Sequence, residues 1–315
     1  MSGLVCFTAG PLPGNLKSPW RQVTAAANAV AARGGVPLAV SLQGLIPMTY
    51  EEPKLREDMK NFAAEAQANV VRDHGLQILD VQIQVSDQVL FPQYFVTCVG
   101  VAASKNGASQ IWEKDSDECA KEPHEPGRLT AEESRLLRPG QELILTRQIA
   151  LAGTAALANS HEKELLGYFP PWLVERAKGL DQWMSVTDAV GIIRKSGVCP
   201  MYRLSQGGIF NALWEMAEMA GVGLEVNLRE IPIRQETVEI CEYFDINPYY
   251  LYSEGALLIG TNQAEQLIHA LQDARIPAAV IGRATDKNSR VIHNGENDRY
   301  LDRPKQDELW RFACP

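Results

Sequence analysis

The stretch Ser205-Gln-Gly-Gly-Ile-Phe-Asn-Ala-Leu-Trp-Glu-Met-Ala-Glu-Met-Ala-Gly-Val-Gly-Leu-Glu-Val226 contains the signals for a helix, a strand and the turns around them. Ser205 is placed to cap the helix, and the pair Gly207-Gly208 opens it. Apolar residues then recur at helical spacing, until Gly221-Val-Gly223 turns the chain into a strand. The stretch therefore predicts a helix over 207–220 followed by a strand over 222–228, the alternation typical of a mixed α/β domain.

The same alternation extends through the rest of the second half of the chain. We predict further helices over Ala150–Asn159, 170–180, 185–196, 235–244 and 262–274. We predict further strands over Glu142–Gln148, 198–203, 256–260 and 277–283. Helical and strand periods follow one another without a tandem repeat, so the pattern indicates a mixed sheet with helices.

The first hundred residues have a separate α+β pattern of β-α-β-α-β-β. The predicted strands are Leu4–Thr8, Val36–Leu45, Ile78–Val85 and Tyr94–Ala102, and the predicted helices are Trp20–Arg33 and Glu51–Val71. Between the two halves, charged residues, Pro and Ser dominate residues 104–138, which we interpret as a linker or excursion. Two domains are expected, over 1–103 and 139–315.

The composition and residue spacing of the chain disfavour several classes of function. The chain has 315 residues with 30 Lys and Arg against 39 Asp and Glu, a net charge of −9, which disfavours broad contact with nucleic-acid phosphates. We find neither a membrane span nor a secretory signal, so no membrane partner is expected. The six cysteines are far apart without a C-x-x-C pair, and the histidines lack ligand spacing. We expect no metal site of these kinds and a cytoplasmic protein.

A family resemblance is carried by motifs that follow the opening stretch. These are Ile231-Pro-Ile-Arg234, Cys241-Glu-Tyr-Phe-Asp-Ile-Asn-Pro248, Ser253-Glu-Gly-Ala-Leu-Leu-Ile259 and Ala279-Val-Ile-Gly282. Their order and spacing resemble the aminoimidazole ribonucleotide synthetase (AIR synthase)-related superfamily, and within it the hydrogenase-maturation carbamoyl dehydratases. Gln148–Leu157 resembles the entry into the family's second domain. Phe7-Thr-Ala-Gly-Pro11 and Ala27–Pro37 resemble its first-domain motifs.

The resemblance implies a two-domain α/β fold whose first domain dimerises into a shared β-barrel. It also implies ATP and magnesium in a cleft between subunits and domains, and activation of an amide or carbonyl oxygen by phosphoryl transfer. In that chemistry the protein mainly positions groups and neutralises charge. The four predicted first-domain strands are too few to close a barrel alone, which favours a homodimer.

This sequence departs from the family at its carboxylates. The chain begins after the place of the family's first acidic segment. Gly10, Ala29 and Arg203 stand where the family has acids, and Asp80-Val-Gln-Ile83 replaces another acidic motif. Magnesium needs oxygen ligands of this kind, so these departures argue for a degenerate Mg-ATP site. Asp80 and Asp87 are the nearest remaining acids, but outward polar positions on a strand explain them better.

Candidate ligand contacts remain at helix starts. Ser205, Gln206, Gly207 and Gly208, with Arg203 nearby, would suit a small anionic or phosphorylated ligand without metal. Gly153 and Thr154 are a second candidate of the same type. Ordinary helix capping is the alternative explanation for both.

The C-terminus offers a candidate catalytic thiol. The carbamoyl dehydratases end in a flexible tail whose terminal cysteine carries the reacting group, and here Cys314 is penultimate. A thiol on such a tail could be nucleophilic and could meet a protein partner, although a motif this short is more often a chance cysteine than a carrier. The functional hypotheses are a degenerate anion-binding homodimer, an active ATP-dependent maturation enzyme, and another small-molecule enzyme using the same cleft.

Overall fold

The structure is a computed structural model that describes residues 4–10, 19–48, 75–90, 93–102, 136–197 and 200–312. The predicted helix Glu51–Val71, most of the predicted linker and Cys314 lie outside these residues. Within the described ranges, no helix is both long enough and apolar enough to cross a membrane.

The first part of the chain forms a four-stranded sheet with one described helix. The elements are β1 (Leu4–Ala9), α1 (Pro19–Ala32), β2 (Gly35–Pro47), β3 (Gln77–Ser86) and β4 (Gln93–Ala102). The strand order is β1-β4-β2-β3, with β2 and β3 parallel and the other neighbours antiparallel. All four predicted strands are confirmed within two residues.

Helix α1 packs closely on this sheet. Its alanine-rich face and Val30 are buried together with Leu42 and Val96. A Cβ atom at Gly100 would lie 2.6 Å from Val30 Cγ1 and 2.4 Å from the Val36 carbonyl oxygen, so this approach requires glycine. The opposite face of β1 and β4 is covered by no described element.

The second part forms a seven-stranded mixed sheet with helices on both faces. Its strands are β5 (Glu142–Thr146), β6 (Met201–Arg203), β7 (Gly223–Asn227), β8 (Leu257–Thr261), β9 (Ala278–Thr285), β10 (Arg290–Asn294) and β11 (Asn297–Tyr300). Its helices are α2 (Leu151–Ser160), α3 (Glu162–Leu166), α4 (Pro171–Lys178), α5 (Thr187–Lys195), α6 (Gly208–Ala220), α7 (Gln235–Tyr243) and α8 (Ala264–Asp273). The order is β11-β10-β7-β9-β5-β8-β6.

The interior strand β5 shows why both faces are covered. Leu143 and Leu145 belong to the core under α2 and α6, whereas Ile144 belongs to the core under α5 and α8. A strand buried on both faces is apolar at successive positions, as this one is. The predicted mixed α/β fold is confirmed.

The hairpin β10–β11 was not predicted. Asn294 pairs with Asn297 across a two-residue loop, and Gly295 has φ +68°. Gly295 is the first of the two loop residues and Glu296 is not among the residues with positive φ, which is the pattern of a type II′ turn with glycine at its first central position. Polar residues on β11 hide the alternation that marks a half-buried strand.

Helix α1 also joins the two sheets. Ala31 is buried in the same cluster as Ile144, Val190 and Leu257 of the second sheet. The end of α1 therefore lies beside β6 and the turn before β8, where the candidate site is built.

Candidate functional site

The centre of the site is Glu254, in the turn before β8. Its side chain is completely buried. Arg203 Nη1, at the end of β6, lies 2.6 Å from Glu254 Oε2, and Asn28 Nδ2 of α1 donates to Glu254 Oε1 at 2.7 Å. A buried carboxylate requires such compensation, and here a guanidinium and an amide supply it from different parts of the chain.

Asn28 is held on the other side by the chain before α5. Its Nδ2 also donates to the Met184 carbonyl at 2.7 Å, and its Oδ1 accepts from Val186 N at 3.0 Å. The side chain is thus fixed by three residues of the second part. This explains a buried Asn in an otherwise alanine-rich helix.

Arg147, the residue after β5, contacts both the segment before α5 and the turn before β8. Its Nη1 donates to the Ser185 and Gly255 carbonyls at 2.5 and 3.0 Å, and its Nη2 pairs with Asp188 at 2.8 Å. Arg147 therefore connects the segment that holds Asn28 with the turn that carries Glu254.

Burial raises the pKa of Glu254 above its ordinary value, while the Arg203 charge and the hydrogen bonds from Asn28 and Arg203 lower it. The Tyr252 hydroxyl lies close by, fully buried, and has no partner at good hydrogen-bond geometry among the described residues. Glu254 is therefore an internal counterion whose charge depends on Arg203.

A pair of arginines meets at Phe7 of β1. The guanidinium carbons of Arg33 and Arg203 lie 4.8 and 4.9 Å from the centre of its ring. Partial burial, and next the positive charge of Arg203, lower the pKa of Arg33. Among the described residues Arg33 has no carboxylate partner. Two guanidinium groups therefore lie at the Phe7 ring, and only that of Arg203 is paired with a carboxylate, Glu254.

The start of α6 differs from the prediction. Gly207, with φ +77°, is the N-cap, and no side chain caps the helix, so the prediction of Ser205 as the cap was wrong. The Ser205 carbonyl instead accepts from Gly208 N at 3.2 Å and Ser253 N at 3.1 Å. Gln206 is exposed.

Asp307 supplies the anion at this helix start. Its Oδ2 accepts from Gly207 N at 2.6 Å and its Oδ1 from Leu309 N at 2.9 Å. Burial raises the pKa of Asp307 to about 6. The reciprocal bonds of Asn211 with the Lys305 backbone, at 2.8 and 3.0 Å, hold the same C-terminal segment on α6.

The second predicted ligand site, at the start of α2, also has its backbone N–H groups bonded within the chain. Gly153 N donates to the Tyr252 carbonyl at 2.9 Å and Thr154 N to the Ala150 carbonyl at 2.9 Å. Thr154 Oγ1 donates to Thr237 Oγ1 at 3.0 Å. Both residues are buried inside the first turns of α2, and a ligand there would have to displace these bonds.

Other acids and histidines singled out in the sequence lie elsewhere. Asp80 is exposed on β3 and accepts from Val81 N and the Gln82 side chain. His161 packs edge-on against Phe244 and Phe312. These contacts are structural.

The residues that sequence reasoning missed are Asn28, Glu254, Arg33, Phe7 and Asp307. Asn28 and Glu254 stand inside motifs that carried the resemblance, so a buried polar residue in an apolar run was the available signal. Asp307 has no local signal, because its partner Gly207 lies one hundred residues away.

Acidic side chains around the candidate site, in the described part of the chain, form ion pairs with arginines. The ranges that the structure describes contain no group of three or more His, Cys, Asp or Glu able to hold a metal ion. The carboxylates near the cleft are already bonded: Glu254 to Arg203, Asp188 to Arg147 and Asp181 to Arg21. We therefore derive no step through a metal.

Comparisons with known proteins agree with this architecture. The family profile "AIR synthase related protein, C-terminal domain" matches residues 138–294. The carbamoyl dehydratase HypE of Rhodobacter capsulatus is 25% identical over 271 residues, which cover 84% of this chain and 69% of the relative. Crystal structures of hydrogenase maturation protein HypE, and of HypE in complex with ATP, match with TM-scores of 0.72 and 0.70 at 17% and 15% identity. They cover 100% and 98% of this chain, and 92% and 88% of those chains.

The fold and the motifs of residues 138–294 thus define an AIR synthase-related protein. Within that group the chain is HypE-like.

Proposed function

We propose that this HypE-like protein binds a small anionic, phosphorylated ligand in the cleft at Arg33, Arg203 and Phe7 without magnesium. The observation that carries the proposal is the arginine pair on one aromatic ring, of which Glu254 neutralises only one member. An anion between or beside the guanidinium groups would relieve their repulsion and accept charge-assisted hydrogen bonds. The helix start of α6 supports this role less, because Asp307 already fills it.

The alternative is an ATP-dependent enzyme that activates an amide or carbonyl oxygen by phosphoryl transfer. It is favoured by the HypE solved in complex with ATP, which has the same fold. The bonded carboxylates of the described cleft favour the first proposal, since magnesium would lack ligands there.

The test is thermal unfolding with inorganic phosphate, AMP and ATP, each with and without magnesium. At ten times the dissociation constant a ligand should raise the melting temperature by about 2–4 °C. Arg33→Gln should abolish most of this shift, and Arg303→Gln, at another exposed arginine without a carboxylate partner among the described residues, should not.

The outcomes separate the two functions. A phosphate response that is independent of magnesium supports the anion site. A response to ATP that requires magnesium, with ATP hydrolysis, supports the alternative. An unchanged melting temperature across the whole series would overturn both.

The proposal includes a homodimer formed through the uncovered face of the first sheet. Cys6, Thr8, Thr97 and Val99 lie on that face, and Thr8 Oγ1 bonds Thr97 Oγ1 at 2.8 Å. A half-apolar sheet face without a cover favours burial against a second copy. Sedimentation at micromolar concentration should give a dimer, and Thr97→Arg should give a monomer; a monomeric wild type would reject this.

A further inference from the structure

The loop between α3 and α4 exposes large apolar side chains on the second domain. In Leu166-Gly-Tyr-Phe-Pro-Pro-Trp172, the exposed fractions are 42% for Leu166, 70% for Tyr168 and 56% for Trp172. Together with the half-buried Tyr243 of α7 they form what we call the aromatic surface. Large exposed apolar side chains that lie together mark interaction sites more often than single exposed apolar side chains do.

Backbone hydrogen bonds and two prolines constrain the loop, which lowers the entropic cost of binding. Tyr168 N and Phe169 N both donate to the Leu165 carbonyl, at 3.0 and 2.7 Å. Pro170 is the N-cap of α4 and Pro171 its first residue. Preorganised Tyr and Trp side chains are the residue types that dominate binding energy at protein interfaces.

The rings are also held by their neighbours. The Tyr168 ring lies 4.9 Å from Phe169 and 5.0 Å from Tyr243, whose hydroxyl donates to Glu164 Oε1 at 3.2 Å. The Arg176 guanidinium lies over the Trp172 ring at 5.8 Å. These contacts fix the rings without covering them.

The charges around the aromatic surface are predominantly negative. Helices α3, α4 and α7 carry six acids and three bases: Glu162, Glu164, Glu175, Glu236, Glu239 and Glu242 against Lys163, Arg176 and Lys178. Arg176 is paired with the buried Glu236, and Lys178 with Glu162 and Glu175. In the described part of the chain Glu242 has no cationic partner, so the rim favours a positively charged occupant.

We propose that the aromatic surface docks a basic segment of another protein, one in which Arg or Lys alternates with aliphatic residues. The aliphatic side chains would pack on Leu166, Tyr168 and Trp172. The cations would meet the rim carboxylates and the free faces of the rings.

The experiment measures binding of three fluorescent twelve-residue peptides to the full chain. They consist of four Arg-Leu-Ser, four Gln-Leu-Ser or four Glu-Leu-Ser repeats. We expect the arginine peptide to bind at least about tenfold more tightly than the other two, with an affinity that falls with salt. The double variant Tyr168→Ser with Trp172→Ser should weaken it at least about tenfold.

Two controls keep the test specific. Tyr300→Ser removes an equally exposed ring elsewhere (75% exposed) and should leave binding unchanged. Glu242→Lys should weaken the arginine peptide, whereas Glu296→Lys should not. Equal binding of the three peptides would overturn the proposal, and so would an affinity for the arginine peptide that the double variant does not change. Self-association of the chain that the double variant abolishes would also overturn it.

Discussion

Glu254 and Asp307 are two buried carboxylates near Tyr252, and they are stabilised in different ways. Glu254 is compensated by a full positive charge, Arg203, and by the Asn28 amide. Asp307 is compensated by backbone N–H groups, two of them Gly207 and Leu309, and its pKa is raised to about 6. Burial raises the pKa of both carboxylates, and different groups oppose it: a guanidinium and an amide at Glu254, and backbone N–H groups at a helix start at Asp307.

The largest expected effect comes from breaking the charged pair. Arg203→Ala leaves Glu254 buried without its cation, and we expect a loss of about 3–5 kcal/mol in the free energy of unfolding, measured by urea denaturation near neutral pH. The double variant Arg203→Leu with Glu254→Gln removes both charges and should lose clearly less. If the single variant lost under about 1 kcal/mol, Arg203 would not be the compensating group.

Breaking the helix-start contact should cost less. Asp307→Ala removes the acceptor of Gly207 N and Leu309 N, and we expect a loss of about 1–2 kcal/mol in the same measurement. Asp302→Ala is the matched control, since Asp302 is exposed and pairs with Lys305 at 2.6 Å. That variant should change stability by less than about 0.5 kcal/mol; equal losses would contradict the difference in burial.

The pH dependence sharpens the comparison further. The pKa of Asp307 is about 6 in the folded chain, and its ordinary value, taken for the unfolded chain, is 3.8. Between pH 3.8 and about 6, Asp307 is therefore mostly protonated in the folded state and mostly ionised in the unfolded state. Stability from this group is therefore present at low pH and falls as pH rises through this window, by at most about 1.4 kcal/mol per pH unit. Burial acts on Glu254 in the same direction. Urea midpoints across the window should show a slope that Asp307→Ala reduces and Asp302→Ala leaves in place.

The smallest effect is expected at Arg33. This exposed side chain repels Arg203 but also contacts Phe7, and the two contributions oppose each other. Arg33→Gln should change the free energy of unfolding by less than about 0.5 kcal/mol. A large loss would mean that Arg33 is a structural residue, and the thermal-shift test would then need another variant.

The sequence predicted the elements whose apolar residues are strongly periodic and whose ends are marked by turn-forming residues such as glycine. Helix α6 begins and ends at glycines, and β5 is an uninterrupted apolar run, so both were found within about two residues. The hairpin was missed although Gly295 stands at the first central position, where a type II′ turn needs glycine.

The site was harder to predict, because its bonds join residues far apart. Arg203 was singled out from the sequence, but its partner Glu254 and the Phe7 contact come from other elements. The helix start at Gly207 has the expected geometry for an anion, and that anion is a side chain of the same chain. Local patterns predict donors, and only tertiary contacts reveal which donors are already used.

Helix α1 also has a consequence for how the molecule unfolds. It belongs to the first sheet by sequence, yet Ala31 is buried with Ile144 and Asn28 bonds three residues of the second part. The two sheets cannot separate without exposing this apolar surface and leaving Glu254 with one partner fewer. The boundary between the sheets is therefore not a boundary between cooperative units, and amide hydrogens of α1 should exchange with the slowest protons of the second sheet rather than with those of β3.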